Sequence, residues 1–180
     1  MRNYRKELLT IILAFLNIMV ASVVSFLKLP LYLDSIGTII ASTQLGLRHG
    51  IAVAIISNII LTFTASPTYI SYTGTAITIA IISYLLKRFK YLESLVATVV
   101  GGIIIGIISA VVSAPITAFL YGGVSLSGTD AFIAFFRQIG HNILESVILG
   151  GLSTDPIDKL VSSLIAYSLL KTIFSDIKNA

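Results

Sequence analysis

Three groups of polar residues in this 180-residue chain have the types and spacing to do chemistry. They are Asp34 within Lys28-Leu-Pro-Leu-Tyr-Leu-Asp34-Ser-Ile-Gly37-Thr38, the series Arg137, His141 and Glu145, and the run Asp155-Pro-Ile-Asp158-Lys159. The second group is spaced i, i+4, i+8, which lines one face of a helix. Mixed charge of this kind suits capture of a zwitterionic or multiply hydrogen-bonding solute. Asn58, inside an apolar run, and Tyr69 and Tyr72 beyond it would add an amide and an aromatic rim for a flat heterocycle. Each residue also has a plainer reading. Asp34 can cap the next helix, and Asp155 and Asp158 can cap one that opens at Pro156. Asn58, like Gln44, can satisfy an interhelical hydrogen bond, and the tyrosines can belong to an interfacial belt.

Reactive chemistry is poorly supported. The chain has no cysteine, which removes thiolate nucleophiles, disulfides and zinc–thiolate sites. It lacks a Gly-x-x-x-x-Gly-Lys-Ser/Thr loop, a His-Glu-x-x-His pair and a Gly-x-Ser-x-Gly elbow, so it is read as neither an ATPase nor an enzyme. His141 and Glu145 have metal-ligand spacing, but the only other histidine is His49, so no imidazole-rich site is expected.

The elements that must position these residues are apolar. Hydrophobic residues make up 56% and charged residues 11% of the chain, less than half the roughly 25% charged residues usual in soluble domains. The expected class is all-α, one transmembrane domain over residues 1–180 with about six helices crossing a bilayer. Apolar runs cover 8–27, 35–47, 51–65, 74–86, 94–121, 131–152 and 157–174, the second to fourth being short for perpendicular spans. The run 131–152 is read as a re-entrant or surface-lying helix, because a lipid-facing helix would carry its ionisable stripe at about 2.5 kcal/mol or more per group at mid-bilayer.

Alternating these runs from a cytoplasmic N-terminus puts nine basic residues inside: Arg2, Arg5, Lys6, Arg48, Lys87, Arg88, Lys90, Lys171 and Lys178. Three fall outside: Lys28, Arg137 and Lys159. This satisfies the positive-inside rule and predicts both termini on the cytoplasmic face of the cell membrane. Basic residues scattered at the ends of apolar runs also argue against a nucleic-acid partner. The fifth run carries Gly102, Gly106, Ala110 and Ala114 at spacing four, a ladder for close helix packing, within the bundle or against a partner subunit. Pro115 is expected to kink or end that helix.

In order, the basic N-terminus, Leu33-Asp34-Ser-Ile-Gly37-Thr38, the small-residue fifth run ending at Gly122-Gly123-Val-Ser-Leu-Ser-Gly128-Thr-Asp130, and the last run opened by Asp158-Lys159 resemble the S components of energy-coupling factor (ECF) transporters. The resemblance extends over essentially the whole chain. It implies a membrane-embedded subunit that captures a vitamin or related micronutrient from outside. Its implied partners are a transmembrane coupling subunit and two cytoplasmic ATPases, with ATP used only by those partners and no cofactor held by the chain itself. The family's first helix carries an Ala-x-x-x-Ala docking signature. Here Ala14 is followed four residues on by Ile18, and Ala21-x-x-x-Ser25 is the closest match, so Ala14, Ala21 and Ser25 are the docking candidates. Two rival functions remain. One is a stand-alone proton-coupled transporter using Glu145, Asp34 or His141; the other is a membrane sensor module.

Overall fold

The computed structural model describes residues 2–27, 29, 31–125 and 127–179, with side chains from Tyr4 to Thr172. Lys28 and Pro30, and the side chains of Arg2 and Lys178, lie outside the described residues. Among the described residues the chain is all-helical, without a strand. The helices are α1 (Arg2–Phe26), α2 (Ile36–Ile40, continued by a π-helical turn Ala41–Leu45), α3 (Leu47–Thr64), α4 (Thr73–Leu86), α5 (Leu95–Tyr121), α6 (Asp130–Gln138) and α7 (Ile143–Asn179). Three of them, α1, α3 and α5, are long and apolar enough to cross a membrane. Large apolar side chains stay exposed along them, including Leu8, Ile12, Phe15 and Met19 on α1 and Val96, Val100, Ile107 and Val111 on α5. A water-soluble monomer rarely presents so continuous an apolar surface.

Inside, the helices are joined by small and polar residues. Asn17 of α1 is fully buried; its amide oxygen accepts the Gly37 N–H at 2.6 Å, and its nitrogen donates to Thr38 Oγ1 at 2.9 Å and Ser57 Oγ at 3.3 Å. One side chain thus ties α1, α2 and α3 together. Gly37 is required because a Cβ there would overlap the Leu13 carbonyl oxygen. The most extensive helix pair is α5 with α7, and the small-residue ladder forms its seam. A Cβ on Gly102 would come within 2.9 Å of Leu160 Cα, and one on Gly106 would overlap the backbone of Asp155 and Pro156. Ala110 lies against Gly151, and Ala114 is buried with Val147. The ladder is therefore used within the bundle.

Several expectations are corrected. Residues 131–152 do not form one re-entrant helix. The chain turns at Gly140, whose φ of 101° suits glycine, and α7 opens with a reciprocal cap. Glu145 N–H donates to Asn142 Oδ1 at 2.9 Å, and Asn142 N–H donates to Glu145 Oε2 at 3.2 Å. The last helix consequently begins at Ile143 and Pro156 lies inside it, so Asp155 and Asp158 cap nothing. Pro115 does not end its helix: it lies within α5, which continues to Tyr121. Nor does Asp34 cap α2: Ser35 holds the cap position and makes no side-chain cap bond. Ala14 and Ala21, proposed for docking, are each only 1% exposed and face the interior, whereas Ser25 is exposed. Gln44 is also exposed, and its Nε2 lies 3.4 Å from Thr43 Oγ1.

Candidate functional site

Helix α7 presents Gly151, Asp155 and Lys159 at successive i, i+4 positions, so all three share one face, and all three line a cavity of 490 Å³. Gly151 lets α7 pack closely on Ala110 of α5, whose Ser109, Ser113 and Thr117 also line the cavity. The cavity is completed by the C-terminal half of α1 (Ala21, Ser25), by Asn58 of α3, by Thr75 and Ile79 of α4, and by the loops at that end. Its volume is in the range of small-molecule sites.

Lys159 is the electrostatic centre. Its ammonium donates to Asp158 Oδ2 at 2.5 Å and Asp34 Oδ1 at 3.1 Å, and lies 5.8 Å from the centre of the Tyr32 ring. Asp158 is fully buried and has every oxygen occupied, because its Oδ1 accepts the backbone N–H groups of Tyr32 at 2.7 Å and Leu33 at 2.8 Å. Leu33 has φ 48°, and this left-handed step lets two successive N–H groups converge on one oxygen. Residues 31–34, between α1 and α2, are thereby drawn across the cavity as a strap.

A second loop, 122–129, meets the strap. Asp130 gathers it by accepting from Ser125 N at 3.0 Å, Ser125 Oγ at 2.9 Å and Ser127 N at 3.2 Å. The Tyr32 hydroxyl lies 3.0 Å from both Ser127 Oγ and Thr129 Oγ1, and Thr129 reaches Thr154 of α7 at 3.1 Å. On the other side the Asn58 amide nitrogen donates to the Tyr69 carbonyl at 3.0 Å. Tyr72 stacks on Tyr121 at 5.9 Å and meets Thr117 Oγ1 at 2.8 Å. In the loops, burial pushes the Tyr32 phenol up, reinforced by the Asp155 charge; burial and then the Asp34 charge do the same to Tyr69. Both rings therefore keep their hydroxyl protons.

Of the residues proposed from sequence, Asp34, Asn58, Tyr69 and Lys159 meet at this cavity, and Asp158 stands directly behind Lys159. Arg137, His141 and Glu145 do not reach it. Arg137 ends α6, His141 lies in the turn and Glu145 caps α7, so the anticipated stripe is broken across two helices. His141 Nδ1 and Glu145 Oε2 are 3.3 Å apart, with side chains 40% and 55% exposed. Glu145→Gln and Arg137→Gln are therefore expected to leave the occupancy of the cavity within about twofold of wild type, as exposed substitutions do, measured by titrating its solute. Asp155, named with Asp158 and Lys159 as one polar group and read alternatively as a helix cap, also lines the cavity. Tyr32 and the serines of 122–129 were not among the proposed ligands; Tyr32 lay in a loop without a periodic signal. Ala21 and Ser25, docking candidates from the sequence, are among the residues that line the cavity.

Among the described residues no cluster of three or more His, Asp or Glu side chains could hold a metal ion. The site's resources are hydroxyls, carboxylates, one ammonium and aromatic faces, groups suited to hydrogen-bonding and charge recognition. No protein-family model, no curated protein and no solved structure matches this chain.

Proposed function

We propose that this chain is the substrate-binding S component of an ECF-type importer, a non-catalytic subunit that captures a small micronutrient from outside. The observation that carries the reading is the strapped 490 Å³ cavity at one end of an apolar helical bundle, with carboxylates, an ammonium and hydroxyls set among its apolar side chains. Its lining comes from the C-terminal halves of α1, α3 and α5, from the N-terminal portions of α4 and α7, and from Asp34 just before α2, which fits six helices running alternately up and down. Lys87 and Lys171 gather at the other end around Tyr91 and Tyr167. On the positive-inside rule that end is cytoplasmic, as are both termini, and the cavity opens outward. Helices α2 and α4 are shorter than the roughly 20 residues of a perpendicular span, so a locally thinned bilayer accompanies this topology.

A binding subunit of this kind draws its energy from a separate motor. The proposed partners are a transmembrane coupling subunit and two cytoplasmic ATPases, which consume the ATP. In proteoliposomes, solute accumulation is expected only when those partners and ATP are present, while the chain alone binds but does not accumulate. Uptake by the chain alone, driven by a proton gradient, would overturn the proposal in favour of a secondary transporter. So would a purified chain that releases no small molecule on denaturation and binds none from a vitamin panel.

A further inference from the structure

The cavity's charges are unequal. Three carboxylates, those of Asp34, Asp155 and Asp158, surround one ammonium, that of Lys159. Asp158 is spent on Lys159 and the strap, and Asp34 gives one oxygen to Lys159. Asp155 is different. It is 8% exposed, lines the cavity, and forms no ion pair among the described residues. Its one hydrogen-bonding neighbour is the Thr154 hydroxyl at 3.4 Å, and that hydroxyl already bonds the Gly150 carbonyl at 3.2 Å. A buried carboxylate so poorly supplied with donors is costly.

The remaining groups have the same bias. Asn58 directs its amide nitrogen to a backbone carbonyl, leaving its amide oxygen without a protein donor among the described residues. The second oxygen of Asp34 is likewise free of protein donors among the described residues. An anionic solute would find Lys159 already bracketed by two aspartates, with a third carboxylate, Asp155, one turn away on the same face of α7. The geometry points to a solute that carries a positively charged, N–H-bearing nitrogen group on a flat ring. The nitrogen group seats on Asp155, with Asp34 and Asn58 accepting further N–H bonds and the ring against the faces of Tyr32 and Tyr69. This deepens the capture function proposed above and rests on it.

Benzamidine, benzamide and benzoate are matched probes: the same ring bears a cation, a neutral amide or an anion. Their binding to the purified full chain in nanodiscs is read by calorimetry and by the shift in thermal unfolding midpoint. Benzamidine is expected to bind about tenfold more tightly than benzamide, the effect of one charge-assisted hydrogen bond, and benzoate more weakly than either. In Asp155→Asn the benzamidine preference is expected to vanish while benzamide binding persists; in Glu145→Gln, whose carboxylate is outside the cavity, the preference remains. Equal wild-type affinities, a preference for benzoate, or an undiminished preference in Asp155→Asn would each overturn the inference. The wild-type comparison decides even where the variant fails to fold. A neutral or anionic solute released from the protein on denaturation would overturn the cationic class and leave capture standing, whereas binding of no probe and no vitamin overturns both.

Discussion

Asp158→Ala is expected to abolish solute capture and to destabilise the protein by about 3–5 kcal/mol, the penalty of removing one partner from a buried ion pair. The effect is large because Asp158 serves two structures at once. Its Oδ2 neutralises Lys159, and its Oδ1 holds the strap through the N–H groups of Tyr32 and Leu33. Alanine would leave the Lys159 ammonium, 4% exposed as a residue, with Asp34 as its one remaining close anion, and would release the strap. Asp158→Asn should be milder, since an amide oxygen can still accept both backbone N–H groups while the charge is lost. Hydrogen exchange distinguishes the two. In Asp158→Ala the amides of Tyr32 and Leu33 should exchange as in an open loop; in Asp158→Asn they should stay partly protected. Retained protection and retained binding in the alanine variant would show that Asp158 does not hold the strap.

Gly106→Val should prevent assembly of the native bundle. A side chain at this position would be driven into the backbone of α7 at Asp155 and Pro156, which cannot move aside as a flexible side chain would. Separating α5 from α7 widens the seam on which the cavity floor is built, at a cost of about 3 kcal/mol or more, the upper range for overpacking. Gly74→Val is the matched control, because nothing lies within 4 Å of the Cβ it would add. Size-exclusion profiles and unfolding midpoints in detergent should show Gly106→Val aggregated or strongly destabilised and Gly74→Val close to wild type. A well-folded Gly106→Val protein would mean that α5 and α7 do not meet through this ladder.

The positions of the apolar helices were legible because hydropathy and helix length are local properties. Residues 94–121 read as one helix and fold as α5, and spacing-four small residues marked its packing face. What stayed hidden depends on partners distant in sequence. Asp155-Pro-Ile-Asp158 carries every local mark of a helix start, yet the helix begins at Ile143 because Asn142 and Glu145 cap each other there. That capping pattern was present in the sequence, but the i, i+4, i+8 spacing of Arg137, His141 and Glu145 masked it by suggesting one continuous helix. Asn17 gave no signal among apolar neighbours, although it joins three helices. Asp34 and Lys159 were each legible as candidates; their pairing across 125 positions was not.

The left-handed step at Leu33 separates closure from selectivity. Because the latch on Asp158 is made of main-chain N–H groups, it is indifferent to which side chains the strap carries. Leu31 can therefore be exchanged to reshape the cavity's mouth without surrendering the latch on Asp158, whereas exchanging Tyr32 also gives up its hydroxyl's contacts with Ser127 and Thr129.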